Sequence, residues 1–317
     1  MTSTIKTKLP WAILFAWLVV VAAQGSTWYA NRITFGPGGF TNYTAAAIRY
    51  DLAAIIAVII CLLTNRTRCV NKTMIWLNLL AAVPMTLFLI GIYVATKDLM
   101  GGVAATILSL SGVLMLTLSA LLGSEKIAGR SWVGTLLCLA GTGVIFLNKT
   151  SLTSSHGLTA QGQAVLIMLA ATAMYSLAAV ILKKKDVSDD AFTSGAVLIC
   201  AMAILLSTVA CFVQPGAVLP QLVDLELQPL VALLWQAIFS TLISYTALIY
   251  LTTRVSMPII ASLTFVTPLV AIAIDRFFER PELWVVTYTS TTFTGAALIF
   301  LGLVPVVWKK STCCGAT

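Results

Sequence analysis

This sequence has little charge. Asp, Glu, Lys and Arg make up 9% of its 317 residues, where a soluble globular chain carries about 25%. A soluble fold of this length cannot cover its core without a charged surface, so lipid has to be the main solvent. Histidine is nearly absent, with His156 the single example. Neither a phosphate-binding P-loop nor a Gly-x-Ser-x-Gly elbow occurs. The seven cysteines form no CxxC pair, and four of them (Cys61, Cys138, Cys200 and Cys211) lie inside apolar runs as small hydrophobes. These absences argue against an enzyme, a metal centre, a bound cofactor and a disulfide scaffold. Without an ATP site, any transport must draw on gradients or exchange.

Apolar residues are what the chain has, at 59% of the total, with a mean hydropathy of +0.99. Ten segments approach the roughly 20 residues that cross a bilayer. They are Trp11–Ala30, Thr44–Leu63, Met74–Ala95, Gly101–Leu122, Ser131–Leu147, Gly162–Leu182, Phe192–Val213, Leu230–Leu251, Met257–Phe277 and Leu283–Val307. They are continuously apolar rather than alternating, which predicts helices and not barrel strands. The first is too long for a signal-peptide core and reads as a span. The net charge of +8 sits in short loops, not in a compact basic module, so no nucleic-acid partner is expected.

Basic residues set the orientation. With the N-terminus in the cytoplasm, thirteen Lys and Arg fall inside and six (Arg32, Arg49, Lys97, Lys149, Arg276 and Arg280) fall elsewhere. The positive-inside rule then places both termini in the cytoplasm, which requires an even number of spans.

The two halves of the chain also resemble each other. A shift of 157 residues lays Tyr93 on Tyr250, Thr96 on Thr253, Lys97 on Arg254, Met100 on Met257, Ala104 on Ala261 and Glu125 on Glu282. Four residues of slip then align Gly134 with Gly295 and Gly141 with Gly302. Residues 1–150 and 151–317 thus read as two five-span repeats. An odd number of spans per repeat inverts the second half, as in many secondary transporters. The expected fold is an all-α polytopic membrane protein of ten transmembrane helices in two inverted repeats.

Further stretches carry a family resemblance: TAAAIRYDLAA with Arg49, GGVAATILSLSGVLMLTLSALLGSEKI followed by GTLLCLAG, and MPIIASLTFVTPLVAIAIDRFFERPEL followed by GAALIFLG. On these the chain resembles the drug/metabolite transporter superfamily, in its EamA-like ten-span branch. In that family a helix proline precedes a glutamate at the helix end. Pro268 with Glu282 or Glu279 fits the pattern, and Glu125 fits it in the first half, where Ser111 and Gly112 replace the proline. The resemblance implies transport of a small organic metabolite, an amino acid or similar, exported across a bacterial cytoplasmic membrane. It equally admits exchange of nucleotide-sugars or phosphorylated metabolites. A non-transporting scaffold is the alternative of another class. Monomer and homodimer are both compatible with the sequence.

Candidate cargo contacts are the polar and aromatic residues of the spans that such a family packs around its cavity. They are Gln24, Trp28 and Tyr29 in span one, Arg49 in span two, Phe88 in span three, Thr106 and Ser109 in span four, and Tyr175 in span six. Trp235, Gln236, Ser240 and Tyr245 in span eight and Thr264 and Thr267 in span nine complete the set. Singly, each is an ordinary interfacial aromatic or helix-helix contact. Intramembrane acids make Asp51 and Asp275 candidates for coupling or gating, with Glu125 and Glu282 at matched helix ends. Arg49 and Asp51, two residues apart on a helix, do not face each other. Pro84, Gly101, Gly102, Pro258 and Pro268 are candidate hinges.

Overall fold

The computed structural model describes residues 10–35, 39–95, 101–123, 127–147, 157–183, 190–215, 226–278 and 290–307. Among these residues there are helices and no strands. The helices are α1 (Pro10–Thr34), α2 (Asn42–Leu63), α3 (Lys72–Ala95), α4 (Gly101–Leu121), α5 (Gly129–Leu147), α6 (Gly157–Lys183) and α7 (Ala191–Val213). After them come α8 (Leu227–Arg254), α9 (Met257–Phe278) and α10 (Ser290–Val307). Six of these, α1, α2, α3, α6, α7 and α8, are long and apolar enough to cross a membrane. Shorter apolar stretches occupy α4 (Ile107–Leu121), α9 (Met257–Ala271) and α10 (Phe293–Val306).

Local chemistry sets the helix ends. Pro10 opens α1, where its missing N–H costs nothing. The Asn71 side chain accepts from Met74 N at 2.7 Å and caps α3. Asp190 does the same for α7, accepting from Phe192 N at 3.1 Å and from the Thr193 hydroxyl at 2.7 Å. Gly123, at φ +64°, takes the left-handed turn that follows α4. Lys183 at the end of α6 donates to the carbonyls of Thr252 and Val255, so a cation satisfies the C-terminus of α8.

Polarity runs from the centre outward in reverse of a soluble protein. Trp76, Leu80, Phe212 and Phe277 are exposed, while Arg49, Asn78, Gln236 and Thr241 are buried. Buried polar groups find partners in neighbouring helices: Asn78 on α3 donates to Ser194 Oγ on α7 at 3.0 Å. The principal packing partners are α1 with α8 and α9, α6 with α3 and α4, α2 with α7 and α8, and α3 with α7. The pairs α4–α9, α5–α10, α4–α5 and α9–α10 also pack. Exchanging α1–α5 for α6–α10 maps each of these pairs onto another of the set or onto itself; α7 also packs on α8, and its counterpart pair, α2 and α3, touches only slightly.

The α5–α10 crossing depends on glycine. A Cβ added at Gly134 would lie 2.5 Å from the Gly302 carbonyl oxygen, and one at Gly302 would lie 2.6 Å from the Gly134 oxygen. At Gly141 it would meet the Gly295 oxygen at 2.6 Å. Between these contacts the Cys138 thiol donates to Ile299 O at 3.3 Å. Small residues let the two backbones touch, which is how helices attract each other in lipid without a hydrophobic driving force.

One departure from the expected regular helices stands out. Within α8, Gln236–Ile243 is π-helical, flanked by α-helix on both sides. An apolar pattern carries no information about such a turn, so the sequence predicts a plain span there.

Candidate functional site

Seven helices converge on a cavity of about 110 Å³. From α1 come Gln24, Thr27, Trp28 and Asn31, spaced i, i+3, i+4 and i+7 and so along one helix face. Helix α2 gives Arg49 and Tyr50, and α3 gives Phe88, Leu89, Ile92 and Tyr93. Leu108 of α4, Tyr175 of α6, Ser240 and Tyr245 of α8, and Thr264, Thr267 and Pro268 of α9 close it. The wall is thus aromatic and aliphatic with a few convergent polar groups, the usual make-up of a small-molecule site.

Arg49 dominates the electrostatics. It is 5% exposed, yet its hydrogen-bond partners are neutral. Nε donates to Thr241 Oγ1 at 2.7 Å and Nη1 donates to Gln236 Oε1 at 3.0 Å. The guanidinium also lies 5.5 Å from the centre of the Tyr50 ring. Gln236 in turn donates to Thr34 Oγ1 of α1 at 2.8 Å, and Ser240 to Ala23 O at 2.9 Å. No carboxylate among the described residues pairs with Arg49; the ion pair found there is Arg66–Asp190, at 2.6 Å. A guanidinium taken out of water costs several kcal/mol unless compensated. The Tyr93 side chain also hydrogen-bonds Arg49, and because all these partners are neutral its net charge remains available to an anion.

The rest of the wall is ordered by ring contacts. Tyr50 and Tyr245 share a hydroxyl–hydroxyl hydrogen bond of 2.9 Å, and their rings meet edge-on at 6.2 Å. The Phe88 and Tyr175 rings lie 4.7 Å apart. Thr264 and Thr267 donate back to Ala261 O and Leu263 O, which leaves their oxygens as acceptors. Asn31 Oδ1 is buried without a hydrogen-bond partner.

Of the fourteen cargo candidates, nine line this cavity: Gln24, Trp28, Arg49, Phe88, Tyr175, Ser240, Tyr245, Thr264 and Thr267. Gln236 stands behind the wall and holds Arg49. Tyr29 stacks on Phe278 at 5.4 Å, and Trp235 stacks on Phe239 at 4.1 Å while donating to Ser26 Oγ. Ser109 is buried outside the lining. Thr106 and Asp275 sit in helices, but their side chains lie outside the described set, as do the residues Glu125 and Glu282 entirely.

Asp51 turns away from Arg49, and both its carboxylate oxygens accept from the Ser207 hydroxyl of α7, at 2.9 and 2.8 Å. Pro84 and Pro268 lie inside α3 and α9, Gly101 and Gly102 begin α4, and Pro258 begins α9. Sequence reasoning missed Thr27, Asn31, Tyr50, Tyr93 and three aliphatic residues. The i, i+3, i+4, i+7 spacing from Gln24 was a signal that would have found Thr27 and Asn31.

Residues 10–147 match the family model of the EamA-like transporter family. A solved crystal structure, titled only as that of a protein, superposes with a TM-score of 0.72 at 16% identity, over 93% of this chain and 97% of its own. At that identity the likeness shows the fold. No curated protein matches the sequence.

Proposed function

Residues 10–147 belong to the EamA-like transporter family, of the drug/metabolite transporter superfamily, and from this premise we propose that the chain is a secondary transporter working by alternating access. As a member of a transporter family with several membrane-length helices, it is an integral multi-pass membrane protein that moves small molecules. The finer reading is that two inverted five-helix halves, residues 1–150 and 151–317, rock about the cavity and carry an amino acid or similar metabolite out of a bacterial cytoplasm. Both termini lie in the cytoplasm in this reading.

The observation that carries it is the buried cation on an aromatic wall between the halves. Arg49 supplies one anchor for a carboxylate, and Tyr50, Phe88, Tyr175 and Tyr245 supply a surface for an apolar body. Arg49 is the one Lys or Arg among the residues lining the cavity. That favours a monoanionic group over the phosphates of a nucleotide-sugar, which recruit several cations. The inverted arrangement is supported by most of the packing pairs, which the exchange of halves maps onto one another, and by the reciprocal glycine contacts of α5 and α10. Asp51, an intramembrane acid that accepts from Ser207, is the coupling residue of this reading. Pro84, Pro258 and Pro268, with Gly101 and Gly102, are its hinges.

Purified protein in liposomes tests the reading. Labelled neutral α-amino acids should cross in a saturable way, and Arg49→Glu should abolish their flux. Asp51→Asn should leave exchange of cargo intact and remove proton-driven accumulation. Absence of flux for amino acids and phosphorylated metabolites alike would leave a scaffold as the better description. Cysteines placed before Lys97 and before Arg254 should label from opposite sides, and labelling from one side would end the inverted-repeat reading.

A further inference from the structure

Gln236 and Thr241 are five residues apart, yet both accept from the same guanidinium. On a regular α-helix of 3.6 residues per turn, positions five apart point about 140° away from each other. One such helix cannot bring both to one planar group. In a π-helix, whose hydrogen bonds run from i to i+5, residues five apart stack above one another. The segment spanning this pair, Gln236–Ile243, is π-helical. Ser240 and Tyr245, again five apart, both line the cavity. The π-helical turn thus brings Gln236 and Thr241 to Arg49, while Ser240 within the turn and Tyr245 in the α-helix just after it face the cavity.

We propose that the π-helical turn of α8 makes Gln236 and Thr241 the positioning residues of Arg49, holding its guanidinium with neutral acceptors so that it stays fixed and fully charged for an anionic cargo. This rests on reading the cavity as the cargo site. The clamp spans three helices. Arg49 comes from α2, the two acceptors come from α8, and Gln236 is itself fixed by its donation to Thr34 of α1 at 2.8 Å. All four side chains are buried. Neutral acceptors matter here. A carboxylate in place of the Gln236 amide would still accept from the guanidinium, with the Thr34 hydroxyl turning from Ala30 O to donate to it, but would cancel the charge that attracts cargo. Dependence also runs the other way. With the guanidinium removed, the side chains of Gln236 and Thr241 lose their shared partner, and the π register loses the contact that joins its two ends.

The test has two arms. In the first, amide hydrogen exchange across 236–246 is followed in the cargo-free protein for the wild type, Arg49→Gln, Gln236→Met and Thr241→Val. Removing one hydrogen bond to a charged group is expected to speed exchange in the turn by about 10-fold or more, with the α5–α10 crossing unchanged. Thr241→Ser, which keeps the hydroxyl, should restore wild-type exchange. An unchanged turn in Arg49→Gln would overturn the proposal. If a variant also loosens the α5–α10 crossing, the serine rescue decides: recovery supports the clamp and failure overturns it.

In the second arm, uptake of L-leucine into liposomes is measured for Gln236→Glu. The Michaelis constant should rise at least about 10-fold, with no fall in melting temperature. A wild-type Michaelis constant in Gln236→Glu would show that the neutral acceptor has no bearing on cargo and would overturn the proposal. Lack of leucine uptake by the wild type would count against the cargo class of the preceding subsection, while the exchange arm still decides the clamp.

Discussion

The α5–α10 crossing and the Arg49 cavity solve opposite problems in the same bundle. At the crossing, backbones approach until a single added carbon at Gly134 or Gly141 would sit 2.5–2.6 Å from a carbonyl oxygen. At the cavity the helices stay apart, and a guanidinium is held by side chains reaching across the gap. The first contact rests on the fit of two backbones, with the Cys138 thiol donating to Ile299 O between them. The second depends on charge and hydrogen bonds whose partners can change. A carrier needs both kinds: seams that stay closed and a site that can exchange its partners.

Substitutions can break this contrast. The largest effect is expected at the crossing. Gly141→Leu should cost about 3 kcal/mol or more, the upper end for an overfilled interior, seen as loss of folded yield and a lower melting temperature in detergent. Gly162→Ala, where nothing lies within 4 Å of the added carbon, should be neutral or stabilise by up to about 1 kcal/mol. Equal outcomes at the two glycines would show that close approach has no special weight.

Next in size, Arg49→Gln should lower carboxylate-cargo flux by about 10- to 100-fold, the range set by a hydrogen bond to a charged group. Its melting temperature should change far less than that of Gly141→Leu, which separates the site from the seam. Tyr175→Ala removes a ring packed 4.7 Å from Phe88 and should weaken cargo binding by about 10-fold, read from the concentration dependence of a thermal shift.

The smallest effect is expected at Arg66→Ala. The Arg66–Asp190 pair joins the end of α2 to the start of α7, but the Arg66 side chain is 43% exposed. Such a pair contributes under about 1 kcal/mol, and any loss should shrink further in high salt. A large, salt-independent loss would promote this contact to a structural seam like α5–α10.

Much of the cavity was legible because polar residues inside apolar spans are costly and therefore few. Gln24, Arg49, Ser240, Thr264 and Thr267 stand out against their surroundings, and they line one cavity. Trp235 and Tyr29 stand out just as clearly and sit elsewhere, packed on Phe239 and Phe278. Composition tells that an aromatic is present, not which way its helix face turns. Tyr93 was missed for the same reason: near a helix end it passes for an interfacial residue, and only packing brings it inward, whereas Asn31 shares a helix face with Gln24. Asp51 shows a further limit. Helical spacing separates it from Arg49, but its partner Ser207 lies 156 residues away, and no local rule names it.

The sequence alone determined the solvent and the helical secondary structure. A chain with 9% charged residues must live in lipid, lipid demands that backbone groups bond within each segment, and that leaves helices. The tertiary structure decided what Arg49 touches and how α8 meets it. The π-helical turn at Gln236–Ile243 presents Gln236 and Thr241 to a guanidinium from a helix distant in sequence. That meeting exists only when α1, α2 and α8 are packed together, and no local pattern in any one of them specifies it.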